Sequence, residues 1–277
     1  MQDTPLHLAE LTTEATRALL AGPAPAIALV PVGSVEPHGP HLPLATDTLI
    51  SQAAAEEAAR RLRERGVAAL IAPPVGYGVT DFAAGFAGAI SVPAQALTAF
   101  LRAVAEATLA AGFAHVCLIN NHLEPAHDAA VRAAVAGLAP GRASVACPLT
   151  RRWARTLSAE FKSGACHAGR YETSLVQAAA PALVRADLAE KLPDVAISLS
   201  EGIKAGKASF REMGIDAAYT GAPGAASAEE GRALLGLLAT MIATEVEEAL
   251  AATPDAPDAP DAPDAPDAPD APAQPER

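Results

Sequence analysis

A chain of 277 residues with 51% hydrophobic content can build one large core or two small ones. Its formal charge of −12 gives no electrostatic case for a nucleic acid or an anionic membrane as partner, and 4% aromatic content leaves few rings to line a cleft. Three cysteines without CxxC spacing, no basic-then-apolar leader in MQDTPLHLAELTTEA and no membrane-length apolar run lead to the expectation of a soluble, cytoplasmic protein.

Along the chain, short apolar runs alternate with longer amphipathic stretches. Residues 26–32, 67–72, 114–119 and 143–146 have the unbroken apolar character of strands buried on both faces. Between them, 47–65 reads as a helix stopped by Gly66, and 93–111 as a second closed by Gly112. A third runs over 125–138 with Pro125 in its first turn, and a fourth from Ser227 to about Ala251 starts with Glu229 and Glu230 near its positive end. Strand–helix alternation predicts an α/β fold, a mainly parallel sheet covered by helices on both faces. Residues 183–226 carry no clear pattern. The globular part is expected over 1–252. Residues 253–277 hold six Pro-Asp-Ala repeats, whose prolines block both helix and sheet, so an extended, solvated, disordered tail is expected there.

Chemistry concentrates in three motifs. Glu36, His38, His41 and Asp47 follow the first predicted strand on a loop stiffened by Pro37, Pro40 and Pro43. Asn120, Asn121, His122, Leu123 and Glu124 follow the third. Open α/β sheets bind ligands just beyond the carboxyl ends of their strands, where both clusters fall. Residues i and i+2 of an extended chain point to one side, so each Glu/His pair can present both ligands together. Five candidate metal ligands, Glu36, His38, Asp47, His122 and Glu124, suit two divalent cations with positions open to water and substrate. Taken singly, each has a structural explanation: Asp47 as a helix cap, either histidine as a hydrogen-bonded core residue. Two clusters at equivalent strand ends argue for metal. His41 is expected to support the site rather than bind, and His7, His115 and His127 have no partner pattern. The third motif, Cys166 to Ser174, holds His167 and Glu172, and taken alone it reads as a helix start capped by Glu172 and Ser174.

Together the motifs resemble the creatininase family of metal-dependent amidohydrolases. GS-x-E-x-HGPHLP followed by TDT lies at Gly33–Thr48, N-x-H followed by Glu124 at Asn120–Glu124, and HAG-x-x-ETS at His167–Ser174, with a weaker echo at Gly221-Ala222-Pro223. The resemblance implies a three-layer α/β/α sandwich and a dinuclear centre of zinc or manganese, with iron also compatible. By position, Glu36 and His122 would bind one ion, His38 and Glu124 the other, and Asp47 would bridge. His167 would be the catalytic histidine, and Glu172 is left as a ligand partner or an orienting group. A homo-oligomer, a hexamer by resemblance, is implied as well. Creatinine-hydrolysing members carry a tryptophan and an acid ahead of the catalytic histidine and an aromatic between the second pair of ligands. Here those places hold Ser163, Gly164, Ala165, Cys166 and Leu123, and Trp153 lies too far upstream to fill them. Glu124 nonetheless matches the creatinine enzymes better than the Gly-Gly-Asn members, which include a peptidase and a formamide hydrolase. The expected activity is hydrolysis of a small amide, cyclic and creatinine-like. The alternatives are a peptidase or deformylase and, from another class, a metal-binding protein without catalysis.

Overall fold

The computed structural model describes residues 4–252, so the Pro-Asp-Ala repeats lie outside the described residues. Helix α1 (Thr13–Leu20) is capped by the Thr12 hydroxyl, which accepts from the Ala15 N–H, and leads into β1 (Ala26–Val32). Helix α2 (Thr46–Glu64) and β2 (Ala68–Ile71) follow, then α3 (Ala94–Ala110), β3 (His115–Asn120), α4 (Pro125–Val135) and β4 (Ala143–Ala146). These four strands pair parallel to one another in the spatial order β2-β1-β3-β4. The four predicted strands and four predicted helices all form, with ends shifted by at most three residues.

Alternation along the buried strands sends neighbouring side chains to two separate cores. Ile27 and Leu29 of β1, with Ile71 and Ile119, pack against Ile50, Ala54, Ala58 and Leu62 of α2 and against the two helices beyond. Ala28, Val30 and Val32, with Leu70, Val116 and Leu118, pack against Leu97 and Leu101 of α3 and Val131 of α4. Layers on both faces make this the α/β/α sandwich expected from the sequence. Alanine on the inward face of α2 lets that helix approach the sheet closely.

After β4 the chain forms α5 (Arg151–Ala154), α6 (Ala159–Ser163), α7 (Arg170–Ala179), α8 (Ala186–Ala189), α9 (Leu199–Lys204) and α10 (Ala228–Ala251). Helices α7 and α10 join α2 in the layer that covers the first core. The stretch left unread from sequence builds a third, small cluster. Phe210, Met213, Ile215 and Ala218 gather around Ala83, with Phe82 and Phe86 at its edge. It stands at the carboxyl end of the sheet.

Gly231 fixes the spacing of α7 and α10. A Cβ there would lie 1.8 Å from the Ser174 carbonyl oxygen. Glycine to alanine inside a helix ordinarily gains about 1 kcal/mol, but overpacking against rigid backbone costs about 1–3 kcal/mol or more. Gly231→Ala should therefore lower the thermal midpoint by several degrees, at about 2–4 °C per kcal/mol for a domain of this size, rather than raise it. Thermal unfolding followed by circular dichroism checks the sign.

Candidate metal centre

The loop after β1 turns directly over the start of α2. Gly33 allows it, because a Cβ at that position would sit 2.4 Å from Thr48 Oγ1 and 2.5 Å from the Thr48 nitrogen. The helix begins with Ala45 at its cap and no side-chain hydrogen bond there. Asp47 instead lies buried in the first turn, near the positive end of the helix dipole, and accepts from Ser34 Oγ at 2.7 Å. Its position answers the capping alternative: the carboxylate is turned into the site.

Four of the five candidate ligands converge. His122 Nδ1 lies 3.1 Å from Glu36 Oε2 and 3.1 Å from Asp47 Oδ2. His38 Nε2 lies 3.3 Å from Asp47 Oδ1 and 3.8 Å from Glu36 Oε2. The fifth member of the cluster is Glu172, whose Oε2 is 3.4 Å from His38 Nε2. Among the described residues, ligand atoms close enough to share a cation fall into the groups Glu36–Asp47–His122, His38–Asp47–Glu172 and Glu36–His38–His167. Glu124 is in none of them. Its carboxylate accepts from the backbone N–H groups of Asp81 at 3.1 Å and Phe82 at 3.2 Å. The i, i+2 geometry holds for Glu36 and His38, whereas at the second pair Glu124 stands at the N-cap of α4 without a side-chain bond to it, its carboxylate drawn to a neighbouring loop. Glu172 sits at the third position of α7 and its Oε2 also accepts from the N–H of Ala168, which precedes the helix, at 2.7 Å, so the carboxylate ties the incoming loop to the cluster.

Both imidazoles at the centre have a fixed orientation. His122 Nε2 is 2.6 Å from the Val79 carbonyl oxygen, and His38 Nδ1 is 2.9 Å from that of Glu36. Donation to these carbonyls leaves His122 Nδ1 and His38 Nε2 with lone pairs aimed at carboxylates. His38 Nε2 is buried without a hydrogen-bond partner. Lone pairs facing carboxylate oxygens repel unless a proton or a metal ion stands between them. The titration of the cluster shows the same demand. Burial opposes charge on His38, yet Asp47, Glu172 and Glu36 push it up to about 10, and Glu36 and Asp47 likewise hold His122 well above its ordinary value. Burial would raise Glu36, but His122 and the other histidines bring it down to about 2. Burial lifts Glu172 to about 8 despite His38. A buried set of oxygen and imidazole donors of this kind fits zinc, manganese or iron.

The cluster floors a cavity of about 290 Å³ lined by Leu123, Leu149, Phe161, Leu199 and Ile203 among others. His167 belongs to this floor. Its ring lies 4.4 Å from that of His38 and 4.6 Å from that of Phe210, and Nε2 is 3.1 Å from the Pro37 carbonyl oxygen. Burial and then His38 lower it to about 4. Phe82 and Phe210 were not singled out from sequence; their only signal was the scarcity of aromatics in the chain. His127, which showed no pattern, packs its ring 4.6 Å from His122 and accepts from the Val79 N–H at 3.2 Å. His115 lies at the far end of β3, held by Gly141 and Ser144. His7 contacts Glu56 at 3.5 Å. Trp153 donates to Glu245 at 2.6 Å and packs in the core.

Carboxylates and imidazoles buried at the carboxyl end of a parallel sheet, under a cavity, define a metal-dependent hydrolase of the α/β/α class. A family model described as creatininase, creatinine amidohydrolase, matches residues 9–246, and the chain belongs to that family. Its members act on carbon–nitrogen amide bonds, and this chain is an enzyme of that kind. The mycofactocin precursor peptide peptidase of Mycobacterium ulcerans (strain Agy99) is 36% identical over 239 residues, covering 81% of this chain and 85% of the relative. That of Mycobacterium tuberculosis (strain ATCC 25618 / H37Rv) is 34% identical over 233 residues, with the same coverage. Solved creatininases share the fold. A tryptophan-to-phenylalanine mutant creatininase superposes with a TM-score of 0.69 at 21% identity, and a manganese form with 0.66 at 22%, each over 88% of this chain and 98% of the other. A further neighbour, a glutamate-to-glutamine mutant creatininase, is a zinc–zinc form.

His41 joins the first motif to the third: its Nε2 is 2.8 Å from Thr173 Oγ1 on α7. Burial, then the charge of His38, lowers it to about 4. The folded state thus binds this proton less readily than the unfolded chain, whose histidine titrates near 6.5. Stability from this group is complete above about pH 6.5 and declines as the pH falls towards 4, by at most about 1.4 kcal/mol per pH unit. His41→Gln should flatten the fall in thermal midpoint between pH 6.5 and 4, measured by scanning calorimetry of chelator-treated protein.

Proposed function

We propose that this chain is a dinuclear metallopeptidase, hydrolysing an amide bond of a peptide rather than of a creatinine-like ring. The observation that carries the metal assignment is Asp47, whose two oxygens belong to two different triads. Glu36, Asp47 and His122 would hold one divalent ion, and His38, Asp47 and Glu172 the other. Glu172 takes the place that family position alone gave to Glu124. When bound, such a pair would polarise the amide carbonyl and acidify the attacking water.

The chain's own residues account for orientation and proton transfer. The Val79 and Glu36 carbonyls hold His122 and His38 in the tautomers that present a lone pair to the centre. Hydrolysis joins water oxygen to the carbonyl carbon, breaks the C–N bond and delivers a proton to nitrogen. Glu124 lines the cavity outside both triads, and burial pushes its carboxyl up to about 7, where a group both accepts and donates readily. His167, neutral and donating to Pro37 through Nε2, offers Nδ1 to the reacting atoms. We assign the proton transfers to these two residues: Glu124 would take the proton given up by the attacking water and pass it to His167 Nδ1, and the His167 imidazolium would deliver it to the departing nitrogen, leaving both residues as they began.

Two features support a peptide. The relatives of highest identity reported above are peptidases. The cavity also lacks rings where the creatinine-hydrolysing pattern has them: Leu123 and Cys166 line it, and Trp153 is committed to Glu245. Without rings at those two places a planar heterocycle loses stacking there, about 0.5–1.5 kcal/mol per aromatic pair, while Phe82, Phe161 and Phe210 line other parts of the cavity. An oligomer is supported by Tyr77 and Phe100, each 56% exposed, which share an apolar groove far from the catalytic cavity with Leu8 and Val92.

Mass spectrometry of metal content should find about two ions per wild-type subunit, and fewer in both Asp47→Ala and Glu172→Gln. Glu124→Gln and His167→Ala should retain two ions while losing about 10²–10⁴ in turnover. Loss of an ion in Glu124→Gln with retention in Glu172→Gln would reverse the ligand assignment. Assays on short peptides, N-formyl amines and cyclic lactams test the substrate class, with cleavage of peptides alone expected.

A further inference from the structure

The catalytic cavity has a charged rim that neither the metal centre nor the proton-transfer residues use. Arg151, Arg155 and Lys162 all line it, and all three are exposed. Arg151, Ala154 and Arg155 stand at i, i+3 and i+4 on one face of α5 and its last turn, and Lys162 comes from α6. About half of the described lysines and arginines find a carboxylate partner. Arg61 pairs with Glu57, Arg65 with Glu247, Arg132 with Asp128 and Arg185 with Asp187. The contrast is sharpest between neighbours. Arg152 pairs with Glu248 at 2.7 Å and lies 4.5 Å over the Trp153 ring, while Arg151 faces the cavity. Among the described residues, Arg151, Arg155 and Lys162 form no ion pair.

We propose that Arg151, Arg155 and Lys162 bind a carboxylate of the substrate at the cavity mouth, placing the scissile amide on the floor beside Glu124 and His167. This rests on the peptidase reading for its source, either the free C-terminus of the peptide or an Asp or Glu side chain near the cleaved bond. Guanidinium groups take carboxylates through paired N–H donors, and a cation beside an apolar wall is less screened than one in open water. Leu149 and Phe161 supply that wall. The floor would not oppose an anion once loaded: Glu36, Asp47, Glu124 and Glu172 contribute at most four negative charges against four from two divalent ions.

The test uses metal-loaded, full-length protein and two chelators of equal length, suberic acid monohydroxamate and octanohydroxamate, which differ only in the carboxylate at the far end. Calorimetric titration should show the carboxylate form binding at least about ten-fold more tightly, a preference that shrinks as salt is raised. In R151Q/R155Q/K162Q the preference should fall below about two-fold with metal content unchanged, and R151K should restore part of it. Equal affinity in the wild type, or a preference that survives the triple substitution, overturns the proposal, as does failure of both chelators to bind. Peptide pools with free or amidated C-termini, each with Asp/Glu or with Asn/Gln, then identify the source. The triple variant should raise KM for the carboxylate-bearing pool with kcat within about two-fold. If the wild type cleaves no peptide, the peptidase reading fails by itself, and the hydroxamate comparison still decides the rim.

Discussion

Four carboxylates, those of Glu36, Asp47, Glu124 and Glu172, are buried around one small cavity, and the surrounding structure is arranged to make that burial tolerable. Removing an isolated carboxylate from water costs several kcal/mol even after relaxation. The start of α2 returns only about 0.3–2 kcal/mol of this to Asp47 through the helix dipole, and Ser34 adds one hydrogen bond. Glu124 is satisfied by two backbone N–H groups and Glu172 by one. None of these supplies a full positive charge. Among the described residues no arginine or lysine pairs with these four carboxylates, so the balance falls to His38 and His122, or to the cations for which their lone pairs are arranged.

Distant elements are bound to this requirement. The His38 and His122 rings are set by main-chain carbonyls, so their aim depends on the course of the loops after β1 and β3. Close approaches keep those loops in place. Gly78 lies where a Cβ would be 2.6 Å from the His127 ring, and Gly33 lies against Thr48. The third motif is anchored by Glu160, which accepts from the backbone N–H groups of Arg170, Tyr171 and Ala222. Gly221, at φ 73°, leaves room for that carboxylate, since a Cβ would stand 2.1 Å from it. The faint resemblance at Gly221-Ala222-Pro223 thus has a physical role: it completes the socket that holds the start of α7, and with it Glu172.

What the sequence made legible follows from how local each cause is. Strands buried on both faces write continuous apolar runs, and helix ends write glycine, so β1 to β4 and the long helices could be read closely. The first motif was legible because Glu36 and His38 act across one extended turn. Glu124 shows how far such spacing reaches. Its spacing from His122 repeats that of the first pair, but Pro125 starts a helix immediately after it and the N–H groups of Asp81 and Phe82 capture the carboxylate. Those partners are more than forty residues away in sequence, and no local pattern announces them. Glu172 was left open because its carboxylate meets both the Ala168 N–H just before α7 and the His38 ring. The stretch over 183–226 was unreadable since its short helices are held by tertiary packing around Phe210 rather than by their own periodicity.

This division separates the chemistry of the site from its selectivity. The floor is drawn from strand ends and the first turns of α2 and α7, where a few N, O and glycine positions fix the geometry with little freedom. The walls come from α5 and the turn before it, α6, α9 and the Phe210 segment, which contribute Leu149, Arg151, Arg155, Phe161, Lys162 and Ile203. Helices of four to six residues cannot form stably alone. Their side chains are therefore placed by the cores beneath, and can change without disturbing the donors on the floor. A 21% identical creatininase keeping the same fold, beside a 36% identical peptidase, is what such an arrangement permits. The floor is held by backbone geometry and buried hydrogen bonds, whereas the walls answer mainly to packing, and on the peptidase reading proposed above that is where selectivity is free to change.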